Sequence, residues 1–257
     1  MEILIYIIAG LGAGLGTGFA GMSAAAVISP MLITFLGMDP YLAVGIALAS
    51  DVLASAVSAY TYGRNKNLDI KNGIIMMIAV LCFTMVGSYI ANIVPKAAMG
   101  SFSTVMTLLL GVKFIVKPVV APKARFENAT VKQKAVRSVL CGALVGFICG
   151  FIGAGGGMMM LLVLTSVLGY ELKTAVGTSV FIMAATALTG SVSHFAIGGM
   201  PDITALTVCI ISTLVFALIA SVIANKVSAK TLNRATGVVL VVLGAAILAV
   251  NIINPSH

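Results

Sequence analysis

The stretch Phe151-Ile152-Gly153-Ala154-Gly155-Gly156-Gly157-Met158-Met159-Met160 limits the fold more than any other part of the chain. It sets four glycines in five positions, within a largely apolar run from Val139 to Leu168. Each Gly in a helix interior costs about 1 kcal/mol relative to Ala, so the cluster predicts a break. Inside a bilayer, freed backbone N–H and C=O groups are tolerated only when buried in protein or facing a wet cavity. The break is therefore a candidate binding site.

A weaker copy lies 132 residues earlier. With Gly37 set on Gly169, Gly10, Gly14 and Gly18 fall on Gly142, Gly146 and Gly150. Phe19 falls on Phe151, Gly21 on Gly153, Leu32 and Leu36 on Leu164 and Leu168, and Ala43-Val44-Gly45 on Ala175-Val176-Gly177. Without a gap, 11 of the 36 positions from 10 to 45 match. Ile90-Ala91-Asn92 recurs as Ile223-Ala224-Asn225 at an offset of 133. The chain reads as a duplicated unit, with a glycine-rich interruption in both copies.

Composition places the unit in a membrane. Hydrophobic residues make up 60% of the chain and charged residues 9%, with a mean hydropathy of +1.17, against roughly 25% charged in soluble proteins. The N-terminus lacks a basic region before its apolar run, so no cleavable signal is expected. The net charge of +8 does not imply nucleic acid, because the basic residues fall in loops between apolar segments. Cys82, Cys141, Cys149 and Cys209 lie within apolar segments without a CxxC pair, and read as buried thiols. The fourteen methionines read as apolar filler, so neither a metal site nor a cofactor is expected. With no Trp, an aromatic belt must rest on Tyr and Phe.

Apolar segments run at 3–36, 41–62, 73–93, 99–118, 138–168, 174–196, 204–225 and 235–253. Six are near the roughly 20 residues of a spanning helix. The first of each half is too long: 34 residues form a rod of about 51 Å, against a hydrocarbon core of about 30 Å. Folded at its glycines, the same stretch gives two legs of about 15 to 17 residues. Basic residues collect in cytoplasmic loops. If each long segment doubles back, the loops at 63–72, 113–137, 169–173 and 226–234 share one face, with 14 of the 15 basic residues, leaving Lys96 opposite. If each crosses once, the division is 10 to 5. The hairpin reading follows.

The expected fold is thus all-α and integral to the membrane. Two repeats of inverted topology, 1–118 and 138–257, are joined by a cytoplasmic linker at 119–137. Each repeat is a Gly-broken helical hairpin of two short or half helices followed by three transmembrane helices. Secondary transporters are often built this way, with a midplane site at broken helices. Both termini, and the loops at Asp39 and Asp202, are expected outside.

The glycine run is not a nucleotide motif, since it lacks both the third glycine of GxGxxG and a following Gly-Lys-Ser/Thr. It can present successive N–H groups at the positive end of the helix near Met158, which suits an anion. Gly10, Gly14, Gly18 and their copies read instead as close packing, whereas Gly153, Gly155, Gly156 and Gly157 read as substrate amides. In the first copy Ser23 stands at the turn and offers a hydroxyl. Thr178 and Ser179 either donate to an oxyanion or bond back to their own helix. Asp51 lies mid-span, where a charge costs at least about 2.5–3.5 kcal/mol. It is either a proton-coupling carboxylate or a protonated one bound to a neighbouring helix. Its repeat counterpart is Met183. His194, near the outer end of its segment, reads as interfacial or as part of a substrate path. Lys113 is expected to snorkel to the basic face.

These motifs resemble the sulfite exporter TauE/SafE family. The likeness rests on Gly150 to Gly157, on Ala175-Val176-Gly177-Thr178-Ser179, on the exit from His194 to Gly198-Gly199, and on the weaker copies at Gly10 to Gly21 and Ala43 to Gly45. It implies a transporter moving sulfite or small organosulfonates such as sulfoacetate across the cytoplasmic membrane, generally outward. The first half departs from the pattern. Ile46-Ala47 replaces Thr-Ser, and Ser23-Ala24-Ala25 replaces the glycine triplet, which makes the second half the safer place for substrate contacts.

The resulting expectation is a secondary transporter of small sulfur anions. Its partners are the anion, the lipid bilayer and, in a homodimer, a second copy of the chain. A passive anion channel and a carrier of small carboxylates are the alternatives. No nucleophile and base pair argues for an enzyme.

Overall fold

The computed structural model describes residues 2–91, 109, 112, 113, 115, 116, 130–152 and 156–253. Within these residues the regular elements are all helical. In the first half, α1 is Glu2–Ala20, α2 Ala25–Leu36, α3 Pro40–Arg64 and α4 Ile70–Ala91. In the second, α5 is Val131–Ile152, and α6, Gly156–Leu162, runs into a π-helical turn at Val163–Val167. Then come α7 Leu172–Gly198, α8 Ile203–Lys226 and α9 Ala229–Ile253. Helices α1, α3, α7 and α8 are long and apolar enough to cross a membrane. Most of the 99–118 segment, most of the 119–137 linker, Lys96 and the chain ends lie outside the described residues.

The first long apolar stretch does double back, but its legs are unequal. Helix α1 has 19 residues and α2 has 12, or about 28 and 18 Å. The chain turns where Gly21 adopts a left-handed φ of +59°, a conformation Gly enters without the Cβ penalty. Gly10, Gly14 and Gly18 stay inside α1, because their missing side chains admit another helix. A methyl on Gly14 would stand 2.7 Å from the Thr213 carbonyl oxygen, and one on Gly18 2.5 Å from Ala220 Cβ.

The same contact recurs in the other half. A methyl on Gly142 would stand 2.9 Å from Ala79 Cβ, and one on Gly146 2.4 Å from the Val80 oxygen. The two contacts correspond: Gly10 faces Ser212 as Gly142 faces Ala79, and Gly14 faces Thr213 as Gly146 faces Val80. The first helix of each half therefore packs, through its glycines, on the fourth helix of the other. Along both pairs the residue numbers rise together, so the helices run parallel. Between α3 and α7 the numbers run oppositely: Gly45 meets His194 and Phe195, Leu48 meets Gly190, and Tyr62 meets Gly177.

Polar side chains gather three connections at one end of the bundle. Asn67 Nδ2 donates to Asn225 Oδ1 at 2.7 Å, and the Tyr170 hydroxyl to Asp69 Oδ2 at 2.8 Å. Lys173 Nζ bonds the Asn225 and Val227 carbonyls at 3.1 and 2.7 Å, placing a cation where the α8 dipole is negative. Tyr170 lies in the connection between the π-helical turn and α7. Burial, and next the Asp69 carboxylate, push its phenol above the ordinary value, so it remains a donor through neutral pH.

Substitutions should separate close packing from backbone freedom. Gly146→Leu is expected to cost about 3 kcal/mol by forcing α5 off α4. Gly37→Ala should cost only about 1 kcal/mol, because Gly37 needs φ +61° but has open space around it. Reversible unfolding in mild detergent checks both.

Candidate functional site

A helix that stops inside a bundle leaves carbonyls without amide partners. At the end of α1 they are covered one by one. Gly16 and Thr17 oxygens accept from the Met22 and Gly21 amides at 3.3 and 2.9 Å. The Gly18 oxygen accepts from the Tyr62 hydroxyl of α3 at 2.8 Å, and the Phe19 oxygen from Thr236 of α9 at 2.8 Å. Beyond the helix, Gly21 O accepts from Ser179 of α7 at 2.8 Å, and Met22 O from Thr17 at 3.0 Å. Hydroxyls from four helices thus hold the tip of the first hairpin.

The amide end of α2 faces a carboxylate. Ser23 Oγ accepts from the Ala25 amide at 3.3 Å and donates to Asp51 Oδ2 at 2.8 Å. Ser55, one turn further along α3, donates to Asp51 Oδ1 at 2.7 Å. Asp51, Ser55 and their neighbour Ser50 are fully buried. Both carboxylate oxygens therefore have a hydroxyl donor, at ordinary O–H···O distances.

Asp51, Ser55, Ser58 and Tyr62 follow one another at spacings of four, three and four, which puts them on one stripe of α3. Ser58 Oγ is buried without a hydrogen-bond partner among the described residues, as is Ser29 Oγ on α2. An apolar cavity of about 680 Å³ lies on another side of α3, lined by Ala56, Tyr60, Arg64, Met77, Phe181 and Ala185. That cavity does not include the stripe.

Of the residues singled out from sequence, Ser23, Asp51 and Ser179 come together around the first tip. Thr178 is buried but turned toward the connection, where its Oγ1 accepts from the Asp69 amide at 3.2 Å. His194 lies beside Gly45, far along α7 from the tip. Gly156 and Gly157 open α6, while Gly153 and Gly155 lie outside the described residues. Sequence set Ser55 one turn from Asp51 without giving it a role, and it gave none to Tyr62 or Thr236 at the tip. The stripe spacing signals the first two, but nothing local marks Thr236.

The two short legs share an irregularity. Pro30 sits inside α2, and the repeat offset puts it on Leu162, where the π-helical turn begins. Proline removes an amide from the helix and a π turn shifts the bonding by one residue, so each leg is weakened at the same place. Lys113 Nζ donates to Ser166 within that turn, so its ammonium meets the other half.

A helical bundle of apolar spanning helices, interrupted at a buried polar tip, has the build of a membrane transporter. The chain belongs to the sulfite exporter TauE/SafE family, whose model matches residues 6–247. It is 25% identical over 268 residues to the "Probable membrane transporter protein YunE" of Bacillus subtilis (strain 168), covering 96% of this chain and 98% of that protein. It is 20% identical over 235 residues to "Probable membrane transporter protein YdhB" of the same organism, covering 91% and 96%. The chain is accordingly a multi-pass membrane transporter.

Tip carbonyls depend on distant hydroxyls, and this dependence is measurable. Tyr62→Phe and Ser179→Ala should each destabilise the protein by about 1 kcal/mol. Thr61→Val should cost far less, since Thr61 bonds back to Val57 O in its own helix. Thermal unfolding of the three variants in one detergent checks the order.

Proposed function

We propose that this transporter carries small sulfur-containing anions, such as sulfite, sulfoacetate or related organosulfonates, outward across the cytoplasmic membrane. One observation carries the reading. At the first tip, two serine hydroxyls donate to the two oxygens of a carboxylate and an amide at the start of α2 donates to one of those serines, so a broken hairpin in this bundle has the chemistry that holds an oxyanion. In the second half no carboxylate stands at the matching position, where the residue is Met183. There the amides of Gly153, Gly155, Gly156 and Gly157 receive the solute, with Thr178 and Ser179 on the adjoining helix. Ser23 joins them by exchanging Asp51 for the anion as the halves move, and Asp51 answers to protons. His194 borders the outer path.

The two halves are read as inverted repeats rocking against each other. Support comes from the opposite running of α3 and α7 and from the reciprocal packing of α1 on α8 and α5 on α4. The basic connections at 63–72, 169–173 and 226–234 are read as cytoplasmic. The first cradle holds a carboxylate, which keeps small carboxylates as a second solute class.

Sulfite efflux from proteoliposomes is the test. Gly156→Leu is expected to cut it about tenfold or more, equivalent to at least about 1.4 kcal/mol of lost binding, and to abolish thermal stabilisation by sulfonates. Asp51→Asn should leave efflux unresponsive to an imposed proton gradient. Stabilisation by sulfonates that survives Gly156→Leu counts against the pocket.

A further inference from the structure

We infer that Asp51 is a tethered occupant of an anion cradle at the first hairpin tip, and that this cradle takes a free small carboxylate once the side chain is removed. The deduction starts from where the donors come from. Ser23 belongs to the turn that opens α2, a helix of 12 residues. Ser55 belongs to α3, the same helix as Asp51. The turn thus contributes a donor from outside the carboxylate's own helix, and it meets Asp51 across 28 residues of sequence.

Their proton bookkeeping points the same way. A serine hydroxyl has one proton. Because Ser23 Oγ already accepts from the Ala25 amide, its own proton is directed to Asp51. All the partners that hold the carboxylate are neutral donors, as in a site that binds an anion by oriented dipoles. A second observation lies beside the cradle. Ser58, three residues past Ser55 on the same stripe, is fully buried and its hydroxyl has no partner among the described residues. The stripe therefore has more donor capacity than Asp51 uses.

A functional asymmetry follows. The first tip holds the chain's own Asp51, whereas the matching position in the second half is Met183, which has no carboxylate to offer. A solute anion reaches the first tip only by displacing Asp51, so wild-type protein binds one solute anion where two equivalent tips would bind two. This shares with the proposed function only the premise that a hairpin tip receives anions.

Formate is the probe, being the smallest carboxylate. Wild type, Asp51→Ala and Asp51→Ala combined with Ser23→Ala are purified in detergent. Their unfolding temperatures are followed against sodium formate, with sodium gluconate at matched ionic strength as the control. Asp51→Ala is expected to melt lower than wild type. Formate should restore saturably roughly half or more of the loss, as a ligand that binds only the folded state does. The double variant should lose most of the response that Asp51→Ala gains over wild type, which keeps only its second tip for formate.

A folded Asp51→Ala protein that gains no more from formate than from gluconate overturns the inference. So does an equal formate response in wild type. If Asp51→Ala does not fold alone, Asp51→Ser purified with and without formate decides: recovery only with formate supports the cradle, and failure in both counts against it. Sulfite flux is measured separately. Absent flux with intact formate rescue defeats the proposed substrate and leaves the cradle standing.

Discussion

Inside a bilayer no water is at hand to satisfy a broken helix, so every freed backbone group must find a partner in the protein. The end of α1 meets this demand with side-chain hydroxyls. Tyr62, Thr236, Ser179 and Thr17 each cover one carbonyl. Three of those donors stand on α3, α9 and α7, so the tip cannot keep its conformation unless the helices of both halves are in place. The break and the bundle therefore stabilise one another.

The glycines solve a different problem. In lipid there is little hydrophobic gain from bringing apolar helices together, and close approach of backbones supplies the attraction instead. Gly10, Gly14 and Gly18 bring α1 against α8, and Gly142 and Gly146 bring α5 against α4. Each half lends its first helix to the other. This exchange leaves α3 and α7 at the centre, side by side and oppositely directed, with Asp51 and Ser179 near the same tip.

Polarity at the tip is arranged by sign. Carbonyls of α1 face hydroxyl donors, while the amide end of α2 faces a carboxylate. A buried carboxyl on its own is costly, and the hydroxyls of Ser23 and Ser55 offset part of that cost. A site that tolerates a fixed negative charge is chemically close to one that admits a mobile charge. The short legs carry irregularities at matching places, Pro30 in one half and the π turn in the other.

Residue order alone determined the class. Hydropathy and segment length required a helical membrane protein, and glycine placement marked the break in its first long segment, because these depend on local length and on the cost of glycine in a helix. The motifs likewise carried the family, and mid-span isolation marked Asp51. Local pattern also placed the first bend, at the turn that opens with Gly21, but it did not give the unequal legs of 19 and 12 residues. Nor did it give the partners of Asp51 or the hydroxyls over the tip. Thr236 meets Phe19 across 217 residues, and Ser179 meets Gly21 across 158. Such pairings follow from which helices become neighbours, and only the packed bundle decides that.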